Sequence, residues 1–345
     1  MRVLLLGGTR FIGPAVVRAL AADGHEVACF HRGRTSSELP PGVAHIHGDR
    51  ERLAEHAADL AAFAPEVTID MLLMTEADAR GLATWARERC PRLVAVSSCD
   101  VYRAYGVLHR HAEDGEPDPR PADEDGPLRL SRYPYRGMEG LPEERRRKLQ
   151  DYDKILVEDA LRADAGLALT VVRLPMVYGP GDPQRRLSGY LRRMERLPAG
   201  LLLPASLARW RACRGYVDDV GRAIALAATH PAALGRTYAV AEPAAPSEEE
   251  WLAEVAAAAG WTGRVHVVPD DELPESLRPD FDARQPLVVS SARIRAELGY
   301  AEQLPRAEAV ARTVAWERPR LAEPSPTELE DLAREAEALE RLGRA

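Results

Sequence analysis

The sequence predicts an α/β fold: a doubly wound parallel sheet with a smaller C-terminal lobe. Three observations predict it. Short runs rich in Val, Ile and Leu alternate with stretches whose apolar residues recur at helical spacing. A glycine-rich turn follows the first of those runs directly. Beyond Pro180 the strict alternation ends, so the segments Gln184 to Ala212 and Pro246 to Pro319 are expected to form a smaller second lobe.

The elements read in order. Val3 to Leu6 is a first strand, and Phe11 to Ala22 a helix that Asp23-Gly24 stops. Val27 to Phe30 and Ala44 to His47 give the second and third strands. Helix Glu51 to Ala62 leads to a fourth strand, Val67 to Met74, and helix Glu76 to Arg89 to a fifth, Leu93 to Ser97. Helix Asp153 to Ala163 precedes a sixth strand, Leu169 to Leu174. Strands separated by helices imply right-handed crossovers and a sheet buried on both faces.

On this pattern residues 1–180 form the dinucleotide-binding domain of Rossmann type, with 214–245 returning to it. Segments 181–213 and 246–320 form a substrate lobe, and 321–345 carries an amphipathic helix over Thr327 to Leu342, packed on the body or forming a partner contact. The stretch 103–150 is rich in Pro, Gly, Arg, Asp and Glu and far exceeds the usual ~4–6 residue connection, so it is a lid or partly disordered. Tyr133-Pro134-Tyr135-Arg136 favours the lid, because a merely solvated loop needs no aromatic and cationic cluster.

A chain of 345 residues suffices for roughly two domains of ~150 residues. The balance of 46 Lys+Arg against 54 Asp+Glu, a net −8, argues against generic attraction to nucleic acid or anionic membranes. Cys29, Cys90, Cys99 and Cys213 lie far apart, without zinc-type spacing, and read as reduced thiols. His109 and His111 lack further ligands, so no metal is expected. The N-terminal apolar run is too short for a signal peptide and no stretch of ~18 apolar residues follows, so the expectation is a cytoplasmic protein.

Gly7-Gly8-Thr9-Arg10-Phe11-Ile12-Gly13 is the first chemical signal. Glycine lets the backbone approach a pyrophosphate, and the free N–H groups of the helix start favour its charge. Arg10 puts a cation at the positive end of a helix, which a phosphate would compensate. At the end of the second strand, where a carboxylate would bind the ribose hydroxyls of NAD, stand His31-Arg32-Gly33-Arg34. Arginine in place of the carboxylate points to the 2′-phosphate of NADP, with NAD the lesser alternative. Asp49 caps the following helix or lies beside the adenine.

Five motifs in this order resemble the extended or atypical short-chain dehydrogenase/reductases, which include NAD(P)-dependent sugar epimerases and dehydratases. They are Gly7 to Gly13, Ser97-Ser98-Cys99-Asp100-Val101-Tyr102, Lys154 with Glu158, Arg173-Leu174-Pro175-Met176-Val177-Tyr178-Gly179-Pro180, and Arg214-Gly215-Tyr216-Val217-Asp218-Asp219-Val220. The glycine turn is particularly similar to an atypical subgroup that also contains chloroplast stem-loop RNA-binding proteins.

The resemblance implies oxidation or reduction of a carbinol carbon by a Ser/Tyr/Lys set. Ser98 matches the serine and Lys154 the lysine that lowers the tyrosine pKa and holds the nicotinamide ribose. The tyrosine of Y-x-x-x-K is missing, because position 150 is Gln150; the nearest is Tyr152, which on a continuous helix would point about 160° away from Lys154. Tyr152 serves as proton donor only if Asp151 or Asp153 caps the helix and leaves it in non-helical backbone. Tyr133, Tyr135 or Tyr102 are the substitutes.

Pro175 and Val177 match the segment that holds the nicotinamide amide, and Arg50 and Leu72 complete the expected cofactor contacts. Asp100, Tyr135, Arg185 and Arg214 are candidates for substrate, Arg214 for a substrate diphosphate unless it pairs with Asp218 or Asp219. The implied substrate is a sugar or nucleotide sugar, and the implied assembly a homodimer through the helices Glu76 to Arg89 and Asp153 to Ala163. The alternative is a catalytically silent NADP-binding protein that recognises RNA or protein. A metal-dependent nuclease is disfavoured.

Overall fold

The computed structural model describes residues 1–35, 38–137 and 143–343. Parts of two expected segments, 138–142 of the insertion and 344–345 of the C-terminal stretch, lie outside them. The first half alternates: β1 (Arg2–Leu6), α1 (Ile12–Ala22), β2 (Glu26–His31), β3 (Ala44–His47), α2 (Ala57–Phe63), β4 (Val67–Asp70), α3 (Glu76–Arg89) and β5 (Leu93–Ser98). The insertion contributes α4 (Arg103–Leu108) and α5 (Glu143–Leu149). Then come α6 (Lys154–Arg162), β6 (Leu169–Leu174) and β7 (Met176–Tyr178). Beyond Pro180 follow α7 (Ser188–Arg196), β8 (Gly200–Pro204), α8 (Ala205–Arg209), β9 (Arg214–Tyr216), α9 (Val217–Thr229), β10 (Thr237–Ala239), α10 (Glu248–Ala259), β11 (Arg264–Val268), α11 (Ala292–Leu298), α12 (Arg306–Glu317) and α13 (Pro326–Arg341).

Seven strands form one parallel sheet in the order β10-β6-β5-β4-β1-β2-β3. The chain runs outward from β1 to β3, then crosses to β4 and runs the other way. The crevice at the C-terminal ends of β1 and β4 is where such a sheet takes its ligands. Side-chain alternation splits the core. Val3, Leu5 and Cys29 face α1 and α9, while Leu4, Leu6 and Phe30 belong to the layer with α2, α3 and α6. The apolar cluster on the α1 side runs without a break into α7, β8, α10 and α12 through Leu191, Leu203, Leu252 and Val310.

Two expected elements change. The fourth strand ends at Asp70 rather than Met74, because the Asp70 carboxylate accepts the N–H of Leu72 and turns the chain. The helix expected over Glu51 to Ala62 is a 3-10 turn, Arg50–His56, kinked at Arg52 before α2 begins. Two short parallel pairs lie outside the main sheet: β7 with β9, and β8 with β11. The C-terminal helix α13 packs on the body, with Ala338 and Leu339 buried against Leu202, Val268 and Leu273.

Candidate active site

The glycine turn leaves β1 under tight steric constraint. Gly7 has φ +101°, and a Cβ there would lie 2.7 Å from Cγ of Leu72, which covers it from the exit of β4. A Cβ on Gly13 would stand 2.6 Å from the Gly8 backbone. Phe11, at φ 47° and ψ −101°, is the N-cap of α1 and offers no side-chain acceptor to the first turn. An uncapped helix start above a cradle with no room for side chains fits a dinucleotide pyrophosphate. Thr9 Oγ1 lies 2.9 Å from Thr35 Oγ1, tying this turn to the loop after β2. On that rim Arg10, Arg32 and Arg34 are exposed, and none is ion-paired among the described residues.

Arg50 is engaged elsewhere, against expectation. It donates to Asp70 Oδ2 at 2.6 and 2.9 Å and to Asp78 Oδ1 at 3.0 Å. Asp70 is fully buried at the end of β4 and needs that countercharge, so Arg50 is not free to hold a cofactor phosphate. Asp49 accepts the N–H of Glu51 at 3.1 Å and so caps the 3-10 turn.

At the end of β5 the proton-handling groups converge. Ser98 Oγ accepts the N–H of Asp100 at 3.2 Å. Tyr152 donates to Asp100 Oδ2 at 2.7 Å, and Tyr135 reaches the same oxygen at 3.4 Å while accepting from Tyr105 at 3.0 Å. Asp100 Oδ1 is buried without a partner. Burial pushes the Asp100 carboxyl above the usual range, although Tyr152 and Arg129 oppose it. Burial, then the Asp100 charge, raises the phenol of Tyr152, with the Ser98 hydroxyl acting the other way.

Why Tyr152 arrives here is a capping question. Asp153 is the N-cap of α6, its Oδ1 accepting the N–H of Ile155 at 2.9 Å, so Tyr152 lies before the helix. Asp153 also accepts the N–H of Tyr133 at 2.7 Å and pairs with Arg129 at 3.3 Å, both side chains fully buried. Lys154 takes a different post from the one expected. Its ammonium donates to the carbonyls of Leu73 and, at 2.9 Å, of Val96, and stands 5.9 Å from the Tyr152 ring centre. Burial lowers its pKa first. Below it Glu158 joins Ser97 at 2.6 Å and Arg173 at 2.8 and 3.0 Å in a dry network. Tyr102 lies under Arg173, away from Asp100, and the Tyr133 backbone is tied to Asp153.

The remaining candidates divide. Pro175 precedes β7 and Val177 is its middle residue, paired with Gly215 of β9, but the Val177 carbonyl already accepts from Arg186 at 2.6 Å. Arg214, 5% exposed, pairs with Glu248 at 2.5 Å and lies 4.4 Å over the Trp251 ring. Its partner is therefore neither Asp218 nor Asp219, and its charge is already answered within the protein. Arg185 donates to the carbonyl of Arg320. His111 bonds Ser131, and among the described residues no group of three His, Cys, Asp or Glu is arranged to hold a metal. Tyr105, Arg129 and Glu248 were not legible from spacing; each reaches its partner across at least 24 positions of chain or through another loop residue.

The fold and site define a dinucleotide-binding α/β protein with a serine, tyrosine and carboxylate cluster at the sheet edge. The model of the NAD dependent epimerase/dehydratase family matches residues 149–241. The chain is 28% identical over 322 residues to 2′-dehydrokanamycin reductase of Streptomyces kanamyceticus, covering 82% of this chain and 81% of that protein. It is 29% identical over 132 residues, 34% of each chain, to the chloroplast stem-loop binding protein of 41 kDa b of Arabidopsis thaliana. Its fold matches the UDP-glucose 4-epimerase of Thermus thermophilus, solved with NAD, with TM-score 0.65 and 24% identity over 92% of this chain and 99% of that one. These findings support assignment of the chain to the extended short-chain dehydrogenase/reductase family and point to an NAD(P)-dependent enzyme.

Proposed function

We propose that the chain is an NADP-dependent oxidoreductase or epimerase acting on a hydroxyl or keto carbon of a sugar or nucleotide-sugar-like substrate. The observation that carries this reading is Tyr152, held out of α6 by the Asp153 cap and set 2.7 Å from a buried Asp100 beside Ser98. The nicotinamide supplies hydride acceptance or donation at the reacting carbon. Ser98 and Tyr152 hold the substrate oxygen, and Asp100 stores the proton that Tyr152 passes to or from it. Lys154 orders the crevice by joining the exits of β4 and β5 and places positive charge under Tyr152.

The exposed Arg32 and Arg34 favour the phosphorylated cofactor, as Arg10 does at the turn. The substrate class draws on neighbours of the same fold, one a UDP-glucose 4-epimerase and another, MoeE5, solved with UDP-glucuronic acid and NAD. A homodimer through α3 and α6, which pack side by side on one face of the sheet, belongs to the same reading.

The test is a comparison of wild type with Tyr152→Phe. Wild type is expected to bind NADP⁺ and turn over a keto-sugar or nucleotide-sugar substrate. The variant should lose about 10²–10⁴-fold in kcat with cofactor affinity unchanged. A variant as fast as wild type removes Tyr152 from the chemistry.

A further inference from the structure

Three imidazoles meet at the C-terminal edge of β2 and β3. His31 is the last residue of β2 and lies in register with His47, while His45 is opposite Cys29 two positions back. His31 Nε2 is 2.8 Å from His45 Nδ1, with the rings edge to face at 5.1 Å. The His31 and His47 ring centres are 4.9 Å apart. The N–H of Gly33 donates to His31 Nδ1 at 3.1 Å, which makes Nδ1 an acceptor and leaves the hydrogen on Nε2, directed at His45. A Cβ on Gly33, at φ +69°, would stand 3.0 Å from His47 Nδ1, so the loop carrying Arg32 and Arg34 folds closely over the patch.

The charged groups around the rings are few. Arg32 and Arg34 come from the loop, and His56 from the 3-10 turn lies against Phe30. Asp49 is turned to the N–H of Glu51. Burial, then His45 and His47, hold His31 below the ordinary imidazole range, and no carboxylate contributes. Three rings of one kind with two arginines make an edge that gains positive charge as protons are added. The Thr9–Thr35 bond joins that edge to the glycine turn.

We infer that His31, His45 and His47, with Arg32 and Arg34, form a proton-dependent subsite for a phosphate monoester, the 2′-phosphate of the adenosine ribose. The inference rests on the NADP reading and adds regulation to it. The arginines attract the phosphate at any pH. The imidazoles add charge only when protonated, and a dianion beside them favours that form, so binding takes up protons. NAD offers an uncharged ribose diol there and calls for no proton.

The test uses the full chain, titrated calorimetrically with NADP⁺, NAD⁺, 2′,5′-ADP and inorganic phosphate. Between about pH 8 and about pH 6.5, where the 2′-phosphate stays largely dianionic, NADP⁺ and 2′,5′-ADP should bind up to about thirtyfold more tightly for one linked proton. NAD⁺ should change by less than about twofold over the same window, having no charge at that position. Titrations in buffers of different ionisation enthalpy should show proton uptake with NADP⁺ and 2′,5′-ADP and none with NAD⁺. His45→Asn with His47→Asn, both on the exposed face of an edge strand, should weaken the pH dependence to what His31 alone supplies and leave NAD⁺ binding intact.

A pH-independent NADP⁺ to NAD⁺ ratio overturns the inference, as does a pH dependence that is undiminished in the double variant. Inorganic phosphate that competes as strongly as 2′,5′-ADP also overturns it, because the patch is then a general anion site. Failure to bind either dinucleotide overturns the underlying cofactor reading instead, and the two failures are thereby told apart.

Discussion

Asp153 holds three groups at once: the first turn of α6, the Tyr133 backbone and the buried Arg129. Its replacement by Ala should therefore cost more than an ordinary cap. Loss of a cap costs about 0.5–2 kcal/mol, whereas a buried cation left without its partner costs about 3–5 kcal/mol. Urea unfolding of Asp153→Ala beside Ser325→Ala, an exposed capping box at the start of α13, measures the difference. The Tyr152–Asp100 pair sets a second expectation. For oxidation of a hydroxyl Asp100 must accept a proton, so the rate should rise with pH through an inflection above the ordinary carboxylate value of about 4. Asp100→Asn should abolish that inflection in the pH–rate profile. Asp153 could be read from the sequence because capping is local chemistry, and it was one of two residues the sequence offered. Arg129 and Tyr105 could not, because their partners, Asp100, Asp153 and Tyr135, come within reach only after the insertion folds back over β5.

At the level of elements, the turn into α1 and the strand pattern follow from local rules. The Thr75 and Asp78 capping box starts α3 where the pattern places it. The fourth strand is shorter because Asp70 turns the chain at Leu72, and the helix after β3 is a 3-10 turn whose first residue, Arg50, is clamped between Asp70 and Asp78. Sequence periodicity carries no information about such a clamp, so an arginine that looks free for phosphate is spent on holding β4 to the turn after β3. For the glycine turn the expectation is plain. Gly13→Ala brings a methyl to 2.6 Å from the Gly8 backbone, so the start of α1 must move, and dinucleotide affinity measured by titration should drop by at least about tenfold, with loss of the close backbone approach.

Across the whole molecule, long-range polar ties bind the later segments to the sheet. Asp219 on α9 accepts the N–H of Gln303 at 2.7 Å, and burial pushes its carboxyl up to about 6. A raised carboxyl pKa means the folded state holds the proton more tightly than the unfolded one. Its contribution is thus most favourable below about pH 4 and is lost as pH rises through about 6. Asp219→Asn should gain on wild type across that window, read as the difference in urea midpoints at the two ends. The doubly wound parallel sheet, buried on both faces, was legible from alternation; its strand order was not. How the segments after Pro180 attach was not, because Leu191, Leu252 and Val310 read as ordinary helical positions until the cluster joins them. That unbroken apolar seam has a mechanical corollary. Among the described residues one apolar cluster spans the sheet and the later segments, so the protein should melt in a single calorimetric peak. Ligands should then enter by movement of surface loops near Tyr135, since two rigid jaws closing would have to tear a shared interior apart.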